Sequence, residues 1–168
     1  MLEPVLRLLR HRWLDDGLRR AMTPEILARI EARVAASERR HSGEIRFCIE
    51  AGLPNSYIWR GATARDRAVA MFSKLGVWDT EQNNGVLIYV LLVEHPIEIV
   101  PARGVARHVD PGAWNEVVAH MAQAFREGRF EDGLTHALEE VSALLVRHYP
   151  VEAGRDNPDE LPNTPHLG

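Results

Sequence analysis

The sequence has 168 residues, one domain of ordinary size, and its 45% hydrophobic and 26% charged content is globular rather than disordered. Its longest apolar run, Val86 to Val93, is far short of the roughly 20 residues a membrane-spanning helix needs, and its one cysteine, Cys48, excludes an internal disulfide or a multi-cysteine zinc site. The net charge of −4 argues against nucleic acid as a partner, although residues 1–75 carry +5 and residues 76–168 carry −9.

Residues 4–20 read as a basic amphipathic helix. Leu2, Val5, Leu6, Leu9 and Trp13 recur at three- and four-residue steps, with Arg7, Arg10, Arg12, Arg19 and Arg20 mostly off that stripe. Such a helix suits peripheral contact with an anionic membrane through residues 1–20, or packing on its own domain. Met1-Leu2-Glu3-Pro4 lacks the order of a secretory leader. The expected location is therefore the cytoplasm, including the periphery of the inner membrane.

A second helix opens at Thr23-Pro24-Glu25, an N-cap followed by a first-turn proline and acid. Ile26, Ile30 and Val34 repeat along it, and Gly43 follows its end. Glu44 to Glu50 then alternates, with Ile45, Phe47 and Ile49 on one side and Arg46, Cys48 and Glu50 on the other. That pattern predicts a half-exposed strand. Cys48, in mid-strand, reads as an inert packed thiol. Gly52 and Pro54 mark a loop. Thr63 with Asp66 opens a third helix, with Ala68, Met71, Phe72 and Leu75 on its apolar face and Gly76 at its end.

Val86 to Val93 predicts a strand buried on both faces, central in a sheet covered by helices. The short turn Glu94-His95-Pro96 permits only an antiparallel hairpin to Ile97–Val100. Asp110-Pro111 starts a helix bearing Trp114, Val117, Val118, Met121 and Phe125, which Gly128 breaks. A last helix runs from about Phe130 to His148. The segment 150–168, with four prolines and no periodicity, reads as a disordered tail. The expected architecture is a three-layer α/β/α sandwich over a small mixed sheet, a parallel crossover plus an antiparallel hairpin. Residues 1–22 would form an N-terminal helix and residues 23–149 the domain.

No phosphate-binding glycine loop, metalloprotease motif or nucleophile elbow is present. His136 with Glu139 and Glu140, and Glu116 with His120, share helix faces, but two ligands from one helix do not make a metal site. The oxygen-rich stretch from Gly76 to Gly85 is the best candidate. Asp79, Asn83 and Asn84 are its possible metal ligands, because hard cations such as calcium take six to eight oxygens. Arg103-Gly104-Val105 follows the hairpin and should return to the same end of the sheet, which Asp110, a little further on, could approach. Asp79, Arg103 and Asp110 are the candidate catalytic groups, with Arg103 placed to neutralise charge on a phosphoryl oxygen.

Several pieces together resemble the TPM domain family, often labelled TPM phosphatases. They are Asn84-Gly85-Val86-Leu87-Ile88-Tyr89-Val90, Ile97-Glu98-Ile99-Val100 with Arg103-Gly104, the helix from Arg65 to Leu75-Gly76, Phe125 to Gly133, and His41 to Phe47. The resemblance implies an α/β/α sandwich, and for some members acid phosphatase activity and calcium binding. It is to a short soluble bacterial subgroup, similar to proteins that accompany a membrane-bound TPM protein and a LemA-like protein. Asn83-Asn84 stands where the family commonly has Asp-Asn, and Ala102 where the subgroup usually offers an Asp. Calcium binding is therefore expected to be weak or absent. The leading expectation is an accessory module for a membrane-associated protein partner. The alternative is a metal-assisted phosphate-ester hydrolase, which requires Asp79, Asn83, Asn84 and Arg103 to converge.

Overall fold

The computed structural model describes residues 15–93 and 95–168. Most of the amphipathic stretch 1–20, with its proposed membrane contact, lies outside them. What is described of it is α1 (Asp15–Ala21), followed by α2 (Pro24–Glu38), capped by Thr23, whose hydroxyl accepts from the Ile26 amide. The chain continues through β1 (Glu44–Glu50), α3 (Asn55–Trp59), α4 (Ala64–Lys74), β2 (Gly85–Leu91) and β3 (Ile97–Pro101). It ends through α5 (Arg103–Ala106), α6 (Pro111–Arg126), α7 (Phe130–His148) and β4 (His166–Leu167). The capping box of Thr63 and Asp66 forms as expected. The short helices α3 and α5 occupy stretches that read as loops, being too brief to show a period.

The sheet has the order β3-β2-β1-β4. β1 and β2 pair in parallel, and β2 and β3 form the antiparallel hairpin. Alternation along the strands divides the core in two. Ile45, Phe47, Ile49, Val86, Ile88, Val90, Ile97 and Ile99 pack with buried residues of α1, α2, α6 and α7. On the opposite face Cys48, Leu87, Tyr89, Leu91 and Val100 pack with Ile58 of α3 and Ala64, Ala68 and Met71 of α4. This is the three-layer sandwich. Each large side chain fully withdrawn from water contributes about 1.5–3 kcal/mol, so β2, buried at all seven positions, organises both cores.

Two expectations are corrected. β1 is not half-exposed: all seven of its residues are buried. Residues 150–168 are not disordered: they run over the polar side of β1 and end as β4, parallel to Cys48 and Ile49. One fact explains both. Arg46 Nη1 donates to the Pro162 and Thr164 carbonyls, Glu44 accepts from the Glu160 and Leu161 amides at 3.2 Å each, and Leu161 enters the second core. A segment without periodicity is thus held by hydrogen bonds, which hydropathy does not register.

Candidate functional site

Gly76 ends α4 in the left-handed region at φ +69°, which glycine adopts without strain. The Thr80 hydroxyl accepts from the Asn84 amide at 3.0 Å, and its carbonyl accepts from the Asn83 amide at 3.0 Å. Asn83 itself sits at φ +53°, a conformation Asn tolerates better than most residues. β2 then starts at a glycine out of necessity, since a Cβ on Gly85 would collide with the Val77 carbonyl. The segment leaving β3 closes on this loop. The Ala102 amide donates to the Gly85 carbonyl at 2.7 Å, and a Cβ on Gly104 would strike the Asn83 carbonyl. The loop before β2 and the segment after β3 therefore meet at one end of the sheet.

Between them lies an open cleft of about 570 Å³, walled by Phe72, Trp78, Thr80, Pro101 and Ala102, with Asn83 and Arg103 at its polar rim. Trp78 is 56% exposed, and its indole N–H donates to the Ser73 carbonyl at 3.3 Å. Arg103 is exposed and, among the described residues, has no carboxylate partner. The cleft thus pairs an apolar, aromatic wall with one free guanidinium.

The candidate residues separate. Asn83 and Arg103 line the cleft; Asp79, Asn84 and Asp110 do not. Asp79 is exposed on the loop. Asp110 is the N-cap of α6, its carboxylate accepting from the Gly112 amide at 2.9 Å. Asn84 is fully buried and donates to the Ser42 carbonyl at 2.9 Å, while its Oδ1 has no hydrogen-bond partner. Calcium takes most of its six to eight oxygens from carboxylates, carbonyls and waters. The cleft offers no carboxylate, and no group of three or more His, Cys, Asp or Glu side chains among the described residues could hold a metal ion. The donor set present does not fit calcium. Of the helical pairs, His120 reaches across to Glu140 at 2.9 Å as an exposed contact between α6 and α7.

Sequence reasoning missed a buried polar belt on the other side of the same loop. Ser42, Glu81, Gln82 and residues of the 150–160 segment enclose a cavity of about 220 Å³. Beside it, burial pushes the Glu38 carboxyl up to about 8 and the Glu44 carboxyl up to about 7, and lowers the His41 imidazole to about 4. Glu38 accepts from the Ile45 amide at 3.0 Å, and Asn157 donates to the Glu38 and His41 carbonyls. Further along β1, Glu50 accepts from Arg67 at 2.5 Å and from the Tyr89 hydroxyl at 2.7 Å. The one available signal was alternating charge in Glu44, Arg46 and Glu50, which is the pattern of a solvated face.

The sequence profile of the TPM domain matches residues 19–144. Among solved structures, the chain is similar to the BA42 protein of the psychrophilic bacterium Bizionia argentinensis, determined by NMR. The two are 29% identical with a TM-score of 0.77, over 88% of this chain and 95% of that one. The solution NMR structure of the N-terminal domain of a P. gingivalis protein shares the fold at 17% identity and a TM-score of 0.63, over 78% of this chain and 82% of that one. No curated protein matches the chain.

Proposed function

The chain belongs to the TPM domain family, and from that premise we propose that it is an accessory module that binds a membrane-associated protein partner through the Arg103 cleft. The observation that carries this reading is the lining of the cleft: Phe72, Trp78, Pro101 and Ala102 beside Arg103, which has no carboxylate partner among the described residues. Trp and Arg are the residues that dominate protein-binding hot spots, because each combines a large contact surface with directed polar groups. A partner segment with an apolar side chain next to a carboxylate matches that lining. No described helix is long and apolar enough to cross a membrane, so membrane association in this reading comes from the partner, a membrane-bound TPM protein or a LemA-like protein.

Co-expression with each of those proteins, then detergent solubilisation and affinity capture, tests the reading. The parent chain is expected to co-purify. Trp78→Ala and Arg103→Glu should each lower recovery at least tenfold with unchanged circular dichroism. No recovery of the parent, or equal recovery of all three, removes the reading.

Phosphate-ester hydrolysis is the competing reading, and one observation favours it: the buried, unpartnered Oδ1 of Asn84 beside the loop. Turnover of p-nitrophenyl phosphate that calcium or magnesium supports, EDTA abolishes and Asn84→Ala lowers would put it first.

A further inference from the structure

The polar side of β1 poses a question that the Arg103 cleft does not answer. Glu44, Arg46, Cys48 and Glu50 alternate as a water-facing row would, yet none is more than 8% exposed. Cys48 packs with residues of α3 and α4 and Glu50 is held by Arg67 and Tyr89, whereas the cover of Glu44 and Arg46 is the segment after α7. It attaches largely by hydrogen bonds between side chains of one partner and backbone of the other: Arg46 to the Pro162 and Thr164 carbonyls, Glu44 from two amides, and Asn157 to the Glu38 and His41 carbonyls. Its ladder with β1 is short, two residue pairs followed by exchange of bonds between Gly168 and the Ile49 and Ala51 backbones at 3.1 Å. Its apolar anchorage is small: Leu161 enters the second core, Leu167 packs partly buried against the first, and Pro165 is buried. Groups released from such contacts can bond to water, so lifting the strand exposes a surface whose composition suits solvent.

The connection to the domain is built differently. The Ser42 amide donates to the Tyr149 carbonyl at 2.8 Å, and His41 bridges Pro150, which pins the start of the segment. Residues 152–156 are all exposed. Gly154 sits at φ +80°, and among the described residues the hydrogen bonds of the stretch are local, between Arg155 and Glu152. Five extended residues span roughly 17 Å, enough to carry the strand away from its own domain.

We propose that the free edge of β1 is a strand-binding site that residues 157–168 fill in their own chain and that the same residues of a second copy fill by reciprocal exchange. The occupant follows from the contacts. Arg46, Glu44 and the β1 edge read backbone groups in one register, the second core takes Leu161, and the one segment shown to satisfy all of them is this chain's own. Exchange preserves every contact and changes only which copy supplies it, which makes it a low-cost route to a dimer.

Two measurements on the full-length chain test this. Holding the full-length chain at high concentration and then diluting it gives copies time to exchange and slows their return. Light scattering should then show a dimer, slow to dissociate, in which Cys48 is as unreactive towards a thiol reagent as in the monomer; a monomer at every concentration overturns the proposal. Separately, Leu161→Asp should raise the Cys48 labelling rate at least tenfold with unchanged circular dichroism. A synthetic peptide of residues 156–168 added in excess should restore the parent rate. Failure of the peptide to protect Cys48, or global unfolding of Leu161→Asp, also overturns it, since either result makes the segment a fixed part of the core.

Discussion

β1 and β2 lie side by side in parallel, residue for residue from Glu44 opposite Gly85 to Glu50 opposite Leu91, and both are buried at every position. Water is kept from them by different means. β2 carries apolar side chains on both faces under the helical layers. β1 is mainly apolar towards α2 and α7; on its other side Cys48 joins the second core and Glu50 pairs with Arg67, while Glu44 and Arg46 lie under a hydrogen-bonded strap. The contrast teaches that burial of a strand does not reveal whether its cover is core or attachment. Apolar burial is non-directional and hard to reverse, whereas a polar seal holds only while each donor keeps its acceptor.

Arg46 and Leu87 are register partners on the same face, so one pair of substitutions sets the two mechanisms against each other. Leu87→Ala opens a cavity in the second core and should cost about 2–5 kcal/mol in urea unfolding. Arg46→Ala removes the donor to two carbonyls that water can still reach once the strap lifts, and should cost about 1–3 kcal/mol. In hydrogen exchange its effect should be confined to residues 157–168 and β1. An Arg46→Ala penalty as large and as global as that of Leu87→Ala would break the comparison.

Replacement of Asp110 by Ala should cost about 1 kcal/mol through loss of the α6 N-cap and leave partner recovery unchanged. That outcome would separate capping from any role at the cleft.

The pH dependence sharpens the comparison. The folded Glu38 and Glu44 carboxyls titrate near 8 and 7, against an ordinary 4.5, so the native state holds more protons than the unfolded chain between those values. Stability from these groups therefore rises as pH falls from 9 towards 5. His41 works the other way. Its folded value near 4 lies below 6.5, so stability is lost as pH drops through that window. Two raised carboxyls outweigh one lowered imidazole, so the contribution of these groups to thermal stability should keep growing as pH falls to about 4.5, less steeply below 6.5. Glu44→Gln should flatten the limb near pH 7 and leave the one near pH 8. The smallest stability effects belong to Trp78→Ala and Arg103→Ala, within about 0.5 kcal/mol because both side chains are exposed.

Local sequence determined much of this molecule. The apolar run of β2, the turn too short for anything but a hairpin, the cap at Thr23 and the capping box at Thr63 each state their structure within a few residues, because periodicity and capping are short-range physics. They also sufficed to bring the loop before β2 against the segment after β3. Tertiary structure alone decided which side chains share the cleft there, admitting Asn83 and Arg103 while Asp79 stays on the exposed loop and Asn84 binds Ser42. It alone decided that Arg46 would be sealed by carbonyls more than a hundred residues away. Such bonds join backbone groups common to every sequence, so no pattern of residue types marks them in advance.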